Sequence, residues 1–192
     1  MKGIIESGLL WVLLIFIAIF LLAVGIPIVL RAIGLGEWGN LIDNLQNLQK
    51  HKGEGVAISL PQYVGSIMFF RGEGGECKHV LCKDICLDRD GKPCQGNTFI
   101  TINIEGGAKP TTLSVLWKAA TLQIDEAKAD AVKMAVADTC LPKDYEINIM
   151  TSKFVSDNVL VLQGDRSGTK TYCITPEEIS GKLNLNVKEG AC

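Results

Sequence analysis

Gly8 to Leu30 reads GLLWVLLIFIAIFLLAVGIPIVL, 23 residues with no charge, no Asn and no Gln. As a helix rising ~1.5 Å per residue, the run reaches roughly 34 Å, enough to cross a hydrocarbon layer of ~30 Å with a slight tilt. Trp11 near one end and Arg31 just past the other are residue types that favour the lipid–water boundary. A cleaved secretory signal has a shorter apolar core followed by small residues at the cut. Ala23 and Gly25 imitate such a cut, but Ile26, Pro27, Ile28, Val29 and Leu30 prolong the apolar run, so it reads as a retained anchor. A buried helix of a soluble core fits less well, because a helix this long and apolar on every face needs a far larger protein around it.

The basic residues near the two ends of the run nearly balance. Lys2 and the amino terminus stand on one side, Arg31 and the more distant Lys50 and Lys52 on the other. Cysteine placement gives the direction instead. All seven cysteines (Cys77, Cys82, Cys86, Cys94, Cys140, Cys173 and Cys192) follow the anchor. Such density suits an oxidising compartment, where disulfides persist. The expected topology is a single pass with the C-terminal domain outside the cytoplasm. The net charge is −2, with 19 basic and 21 acidic residues and no basic run, which argues against nucleic acid as a partner.

Working outward from the anchor, Gly34, Gly36 and Gly39 predict an interruption of the helix beyond Arg31. Trp38, Leu41, Leu45 and Leu48 then repeat at steps of three and four with Ile42 beside them, an amphipathic stripe. It suits a stalk helix packing on its own domain better than a self-association seam, since fewer than three heptads do not define a coiled coil. The chain thus divides into a transmembrane anchor (1–31), a juxtamembrane amphipathic stalk (32–55) and an extracytoplasmic domain (56–192). The last is close to the usual size of one domain.

That domain reads as mainly antiparallel β with one or two helices and a cysteine-rich loop, an α+β fold. Val56, Ile58 and Leu60 alternate as a first strand, Pro61 interrupts it, and Tyr63 to Phe70 resumes. Thr98 to Glu105 alternates most clearly. After Gly106, Gly107 and Pro110 comes a helical stretch from Asp125, a candidate N-cap, to Asp138. Further strands are expected at Tyr145–Met150, Asn158–Gln163, Lys170–Ile174 and Leu183–Val187. Thr175, Pro176, Glu177 and Glu178 carry a capping-box pattern, which predicts a short helix ending near Gly181.

Chemistry is sparsely signalled. Cys77, Cys82, Cys86 and Cys94, with His79 among them, bear donor types that suit zinc, but without the paired two-residue spacing of zinc ribbons or the spacings of iron–sulfur sites. Disulfides stapling the loop fit better than a metal or thiol-redox centre, and no cofactor is expected. Cys140, Cys173 and Cys192 make the total odd, and the terminal Cys192 is the most accessible position for linking two chains. A catalytic thiol would want a histidine, and the chain has two, His51 and His79. Asp88 and Asp90 before Gly91 suit a solvated turn better than a calcium loop, whose remaining ligands are out of register. Nucleophile-elbow, zincin, phosphate-loop and dinucleotide motifs are absent, so a non-enzymatic role is expected.

Met1, Lys2 and Gly3, followed by Ile4, Ile5, Glu6 and the apolar run, resemble the class III signal of type IV pilin-like proteins. In that family a dedicated peptidase cuts after the glycine, and a long N-terminal helix precedes a β-rich, often disulfide-bonded head. The resemblance covers residues 1–30 and implies cleavage after Gly3 and assembly through the apolar helix. Two other readings stand beside it. One is a membrane-anchored surface domain for binding or cell-envelope structure, whose partners are the lipid bilayer and a protein or envelope component, with self-association possible. The other is a metal-binding or thiol-redox domain using Cys77 to Cys94.

Overall fold

The structure, a computed structural model, describes residues 2–106, 110–149, 153–156 and 158–192, with side chains from residue 11 onward. Met1, Gly107 and Met150, the last an expected strand end, lie outside the described residues. The architecture is α+β: a long apolar N-terminal helix, two mainly antiparallel sheets and two further helices.

The first helix, α1, runs unbroken from Lys2 to Gln46, 45 residues including Pro27. The expected interruption at Gly34, Gly36 and Gly39 does not occur. Each glycine costs a helix about 1 kcal/mol relative to alanine, and packing along one face outweighs that cost. Residues 11–22 are exposed on every side, whereas Ala23, Ile26, Leu30, Gly34, Trp38, Leu41 and Leu45 are covered at steps of three and four. Leu41, Leu45 and Leu48 are fully buried, contributing about 2 kcal/mol each.

The chain forms two compact units, 1–36 with 109–135 and 37–108 with 136–192, so α1 contributes to both and the expected stalk is divided between them. In the first unit, α2 (Thr112–Ala120) and α3 (Ile124–Lys133) form a hairpin against α1. Leu30, Val115, Ala119, Ala127 and Ala131 make its core, with Ile26 packed alongside. The Thr111 side chain caps α2 by accepting from Ser114 N. No helix was expected there from the sequence. α3 is shorter than expected, and Asp125 lies in its first turn, where a carboxylate complements the helix dipole, rather than at the N-cap.

In the second unit, β1 (Val56–Leu60), β8 (Lys170–Ile179), β9 (Lys182–Glu189) and β5 (Ile147–Asn148) form one sheet in the order β1-β8-β9-β5. The other, in the order β4-β3-β2-β7-β6, contains β2 (Val64–Arg71), β3 (Thr98–Ile104), β4 (Thr139–Lys143), β6 (Val155–Ser156) and β7 (Val159–Gln163). Among the described strand pairs only β5–β9 is parallel. Ser59 and Thr171, 112 positions apart in sequence, meet across β1 and β8 with their hydroxyls 3.2 Å apart. The end of α1 lies beside this region, with Asn44 Nδ2 donating to Ala57 O at 3.4 Å and the Trp38 ring 6.4 Å from that of Tyr63.

The capping-box helix expected at 175–181 is not formed. Thr175 to Ile179 continue β8 and pair with β9 through a two-residue turn at Ser180 and Gly181, both at positive φ. Pro176 is tolerated because the β1–β8 ladder ends at Ile174; beyond it the Pro176 carbonyl accepts from Gly53 N at 2.8 Å and no N–H is needed from the proline.

Candidate functional site

The sequence between β2 and β3 folds over one face of the five-stranded sheet. Phe70, Phe99 and Val159 are buried there in one cluster with Cys77, Cys82 and Cys86, against which Met68, Cys94, Cys140 and Val161 also pack. Strand register explains this grouping: Phe70 opposes Phe99, Met68 opposes both Thr101 and Val161, and Thr101 opposes Cys140, so these residues share a face. The loop's own large apolar residues Val80, Leu81 and Leu87 are exposed, so sulfur and the sheet's aromatics supply its core.

Three disulfides join Cys77 to Cys82, Cys86 to Cys140 and Cys173 to Cys192, with Cα separations of 6.1, 5.1 and 5.0 Å. Two expectations need correction. Cys94, expected among the stapling cysteines, is the free thiol, because Cys86, to whose carbonyl its own N–H donates at 2.9 Å, bonds instead to Cys140 on β4. Cys192, expected to be available to a second chain, is taken by Cys173 on β8. Gly55 packs on that bridge so closely that a Cβ would meet both sulfurs at about 3 Å. Burial, with the Asp88 carboxylate adding to it, pushes the Cys94 thiol above its ordinary pKa, the opposite of what an attacking thiolate needs.

With Cys77, Cys82 and Cys86 in disulfides, Cys94 is the one free thiol of the loop. Among the described residues no three His, Cys, Asp or Glu side chains converge as a metal site. His79 serves the loop: its Nδ1 accepts from Leu81 N at 3.2 Å and its ring lies 5.0 Å from that of Phe70. Asp88 closes the expected turn by accepting from Asp90 N and Lys92 N at 2.8 and 2.9 Å, with Gly91 at a φ of 76°.

Beside the Phe70–His79 pair opens a cleft of about 440 Å³, lined by Arg71, Glu73, Lys78, Asn148 and Asn158 over Phe70 and Val159. Arg71 at its rim stands 3.7 Å from Glu146, which also pairs with Lys182 at 2.7 Å. The Lys182 ammonium, then Arg71, holds the Glu146 carboxyl below the usual carboxylate range. None of the described lining residues is a serine, threonine or cysteine. What the cleft offers is the Arg71 and Lys78 cations, the Glu73 carboxylate and the polar side chains of His79, Asn148 and Asn158. Sequence reasoning missed it because its walls come from segments distant in the chain. Compared with models of known protein families, with curated proteins and with solved structures, the chain matches none of them.

Proposed function

We propose that the chain is a single-pass membrane protein whose disulfide-bonded domain stands outside the cytoplasm and serves binding or envelope structure rather than catalysis. The observation that carries this reading is the bare apolar surface of α1. Residues 11–22 are exposed on all sides, and this helix alone among those described is long and apolar enough to cross a membrane. Such a surface in water would drive aggregation, and a bilayer removes it from water. Disulfides support the outward direction, since bonds of this kind persist in oxidising compartments. The exposed Val80–Leu81 pair and the donor-lined cleft are the surfaces the domain offers to a partner.

Two measurements on expressing cells test it. The protein should remain with membranes through alkaline carbonate extraction, and protease added to intact spheroplasts should digest the domain. Release by carbonate removes the anchor, and full protection of the domain reverses the topology.

A pilin-like subunit is the second reading, favoured by the continuity of α1. One 45-residue helix, bare in its N-terminal part and covered further on, suits a subunit that assembles through its apolar segment. This reading requires mature protein beginning at Ile4. An intact Met1 in the N-terminal peptide eliminates it.

A further inference from the structure

The α2–α3 hairpin is divided into sectors. On α2, Val115 and Ala119 are buried, Ser114 and Lys118 are half-buried, and Leu113 and Trp117 stand 75% and 71% exposed. Each pair is four residues apart and so shares a stripe. Lys118 Nζ meets Asp130 at 2.8 Å and Glu126 at 3.5 Å, and the Ser114 hydroxyl lies 3.4 Å from Asp130 Oδ2. The polar sector is therefore committed to α3, while the apolar one is open. At the turn, Leu122 is 85% exposed and Ile124 follows at 47%.

Leu122 is unusual in a second way. Its φ is 62°, Leu122 N donates to Ala119 O, and Gln123 N donates to Lys118 O. In this helix-ending pattern the left-handed position is usually glycine. A leucine there is strained, and in water its side chain is hydrated almost completely. Both penalties fall on the most exposed apolar residue of the hairpin.

The hairpin's neighbours identify what meets this surface. Its buried side packs on Ile26 and Leu30, and Val132 and Lys128 abut Gly34. Ile26 and Leu30 lie within the apolar run Gly8–Leu30. The hairpin therefore flanks the last turns of the segment read above as the membrane span, where the surroundings of an outward-facing side chain are lipid. Tryptophan is enriched at that depth.

We infer that the α2–α3 hairpin is a second membrane contact, its Leu113, Trp117, Leu122 and Ile124 edge lying in the boundary between headgroups and acyl chains beside α1. The occupant of this face is lipid acyl surface rather than anionic headgroup, because Lys118 is already paired with Asp130 and Glu126. This inference rests on the anchor reading of α1.

The test uses the full chain in phosphatidylcholine vesicles containing a photoactivatable acyl chain, irradiated, digested with trypsin and read by mass spectrometry. Adducts are expected in the α1 peptide ending at Arg31, within α2 of the peptide ending at Lys118 and in the peptide 119–128, and not in the peptide carrying β7. Leu122→Gly, which removes the side chain while easing the backbone, should strip most adducts from the Lys128 peptide and leave those of α1. Labelled α1 with an unlabelled hairpin overturns the inference and leaves the anchor standing. An unlabelled α1 removes the anchor and the inference with it.

Discussion

Gly34 of α1 lies directly beneath Val132 of α3, so that a Cβ on residue 34 would run into the valine's Cγ2 methyl. The absence of a side chain is what lets the two helices approach. Gly34→Val should force them apart at a cost of about 1–3 kcal/mol. Hydrogen exchange should then speed up through α2 and α3 and stay unchanged in β3. Unaltered exchange in α3 would mean that the contact does not hold the hairpin.

The strained turn gives an effect of opposite sign. In detergent, Leu122→Gly should stabilise the hairpin by about 1 kcal/mol, the usual penalty of a left-handed non-glycine residue. Slower exchange of the α2 and α3 amides is the readout, and faster exchange would show that Leu122 makes a contact worth more than its strain.

Thiol counting tests the cysteine assignments. Denatured without reduction, the chain should take up one alkylating group, at Cys94. In the folded protein that reaction should be slow at neutral pH and accelerate as the solution becomes more alkaline than a free cysteine requires, because burial and Asp88 raise the thiol's pKa. Uptake at Cys192 would mean that its bond to Cys173 is not made.

The three disulfides should differ in worth according to the loops they close. Cys86–Cys140 spans 54 positions, Cys173–Cys192 spans 19 and Cys77–Cys82 spans 5. Loop-closure entropy assigns them about 4, about 3 and about 2 kcal/mol. Paired serine substitutions should lower denaturant midpoints in that order, and a larger effect at Cys77–Cys82 would point to its role in the sulfur-rich cluster over the sheet.

Stability should fall at both ends of the pH scale. The Ser167 backbone N–H and then its hydroxyl hold the Asp165 carboxyl below its ordinary range, and Lys182 and Arg71 do the same for Glu146. Folded values below unfolded ones mean stability that is complete above about pH 4 and lost as pH falls through the folded values. At the other end, burial pushes the Tyr145 phenol up to about 12. The unfolded chain releases that proton from about pH 10, so stability should decline upward from there. Unfolding midpoints across pH check both limbs, and Asp165→Asn should flatten the acid one.

These particulars show which signals travel through sequence. The apolar run and the alternation in Val56–Leu60 and Thr98–Ile104 were readable because many residues agree along one period. Thr175 to Glu178 misled because four residues can favour a helix locally while pairing with β9 decides their conformation. α2 escaped notice because its nine residues are too few to establish a helical period against a strand-like one. The partners of Cys86 and the cleft beside His79 depend on strand order, which no local spacing encodes.

The pairing of β1 with β8 also shapes how the molecule must come into being. β1 is the first strand synthesised and β8 the last but one, and β2 likewise waits for β7. Topologies so dominated by distant contacts fold slowly. In an oxidising compartment Cys77, Cys82, Cys86 and Cys94 would all arrive before Cys140, the partner Cys86 finally keeps. The first bonds available to Cys86 are therefore wrong ones, and Cys94 is a temporary partner within reach. Wherever Cys86 has bonded early, its final bond to Cys140 can form only by thiol–disulfide exchange.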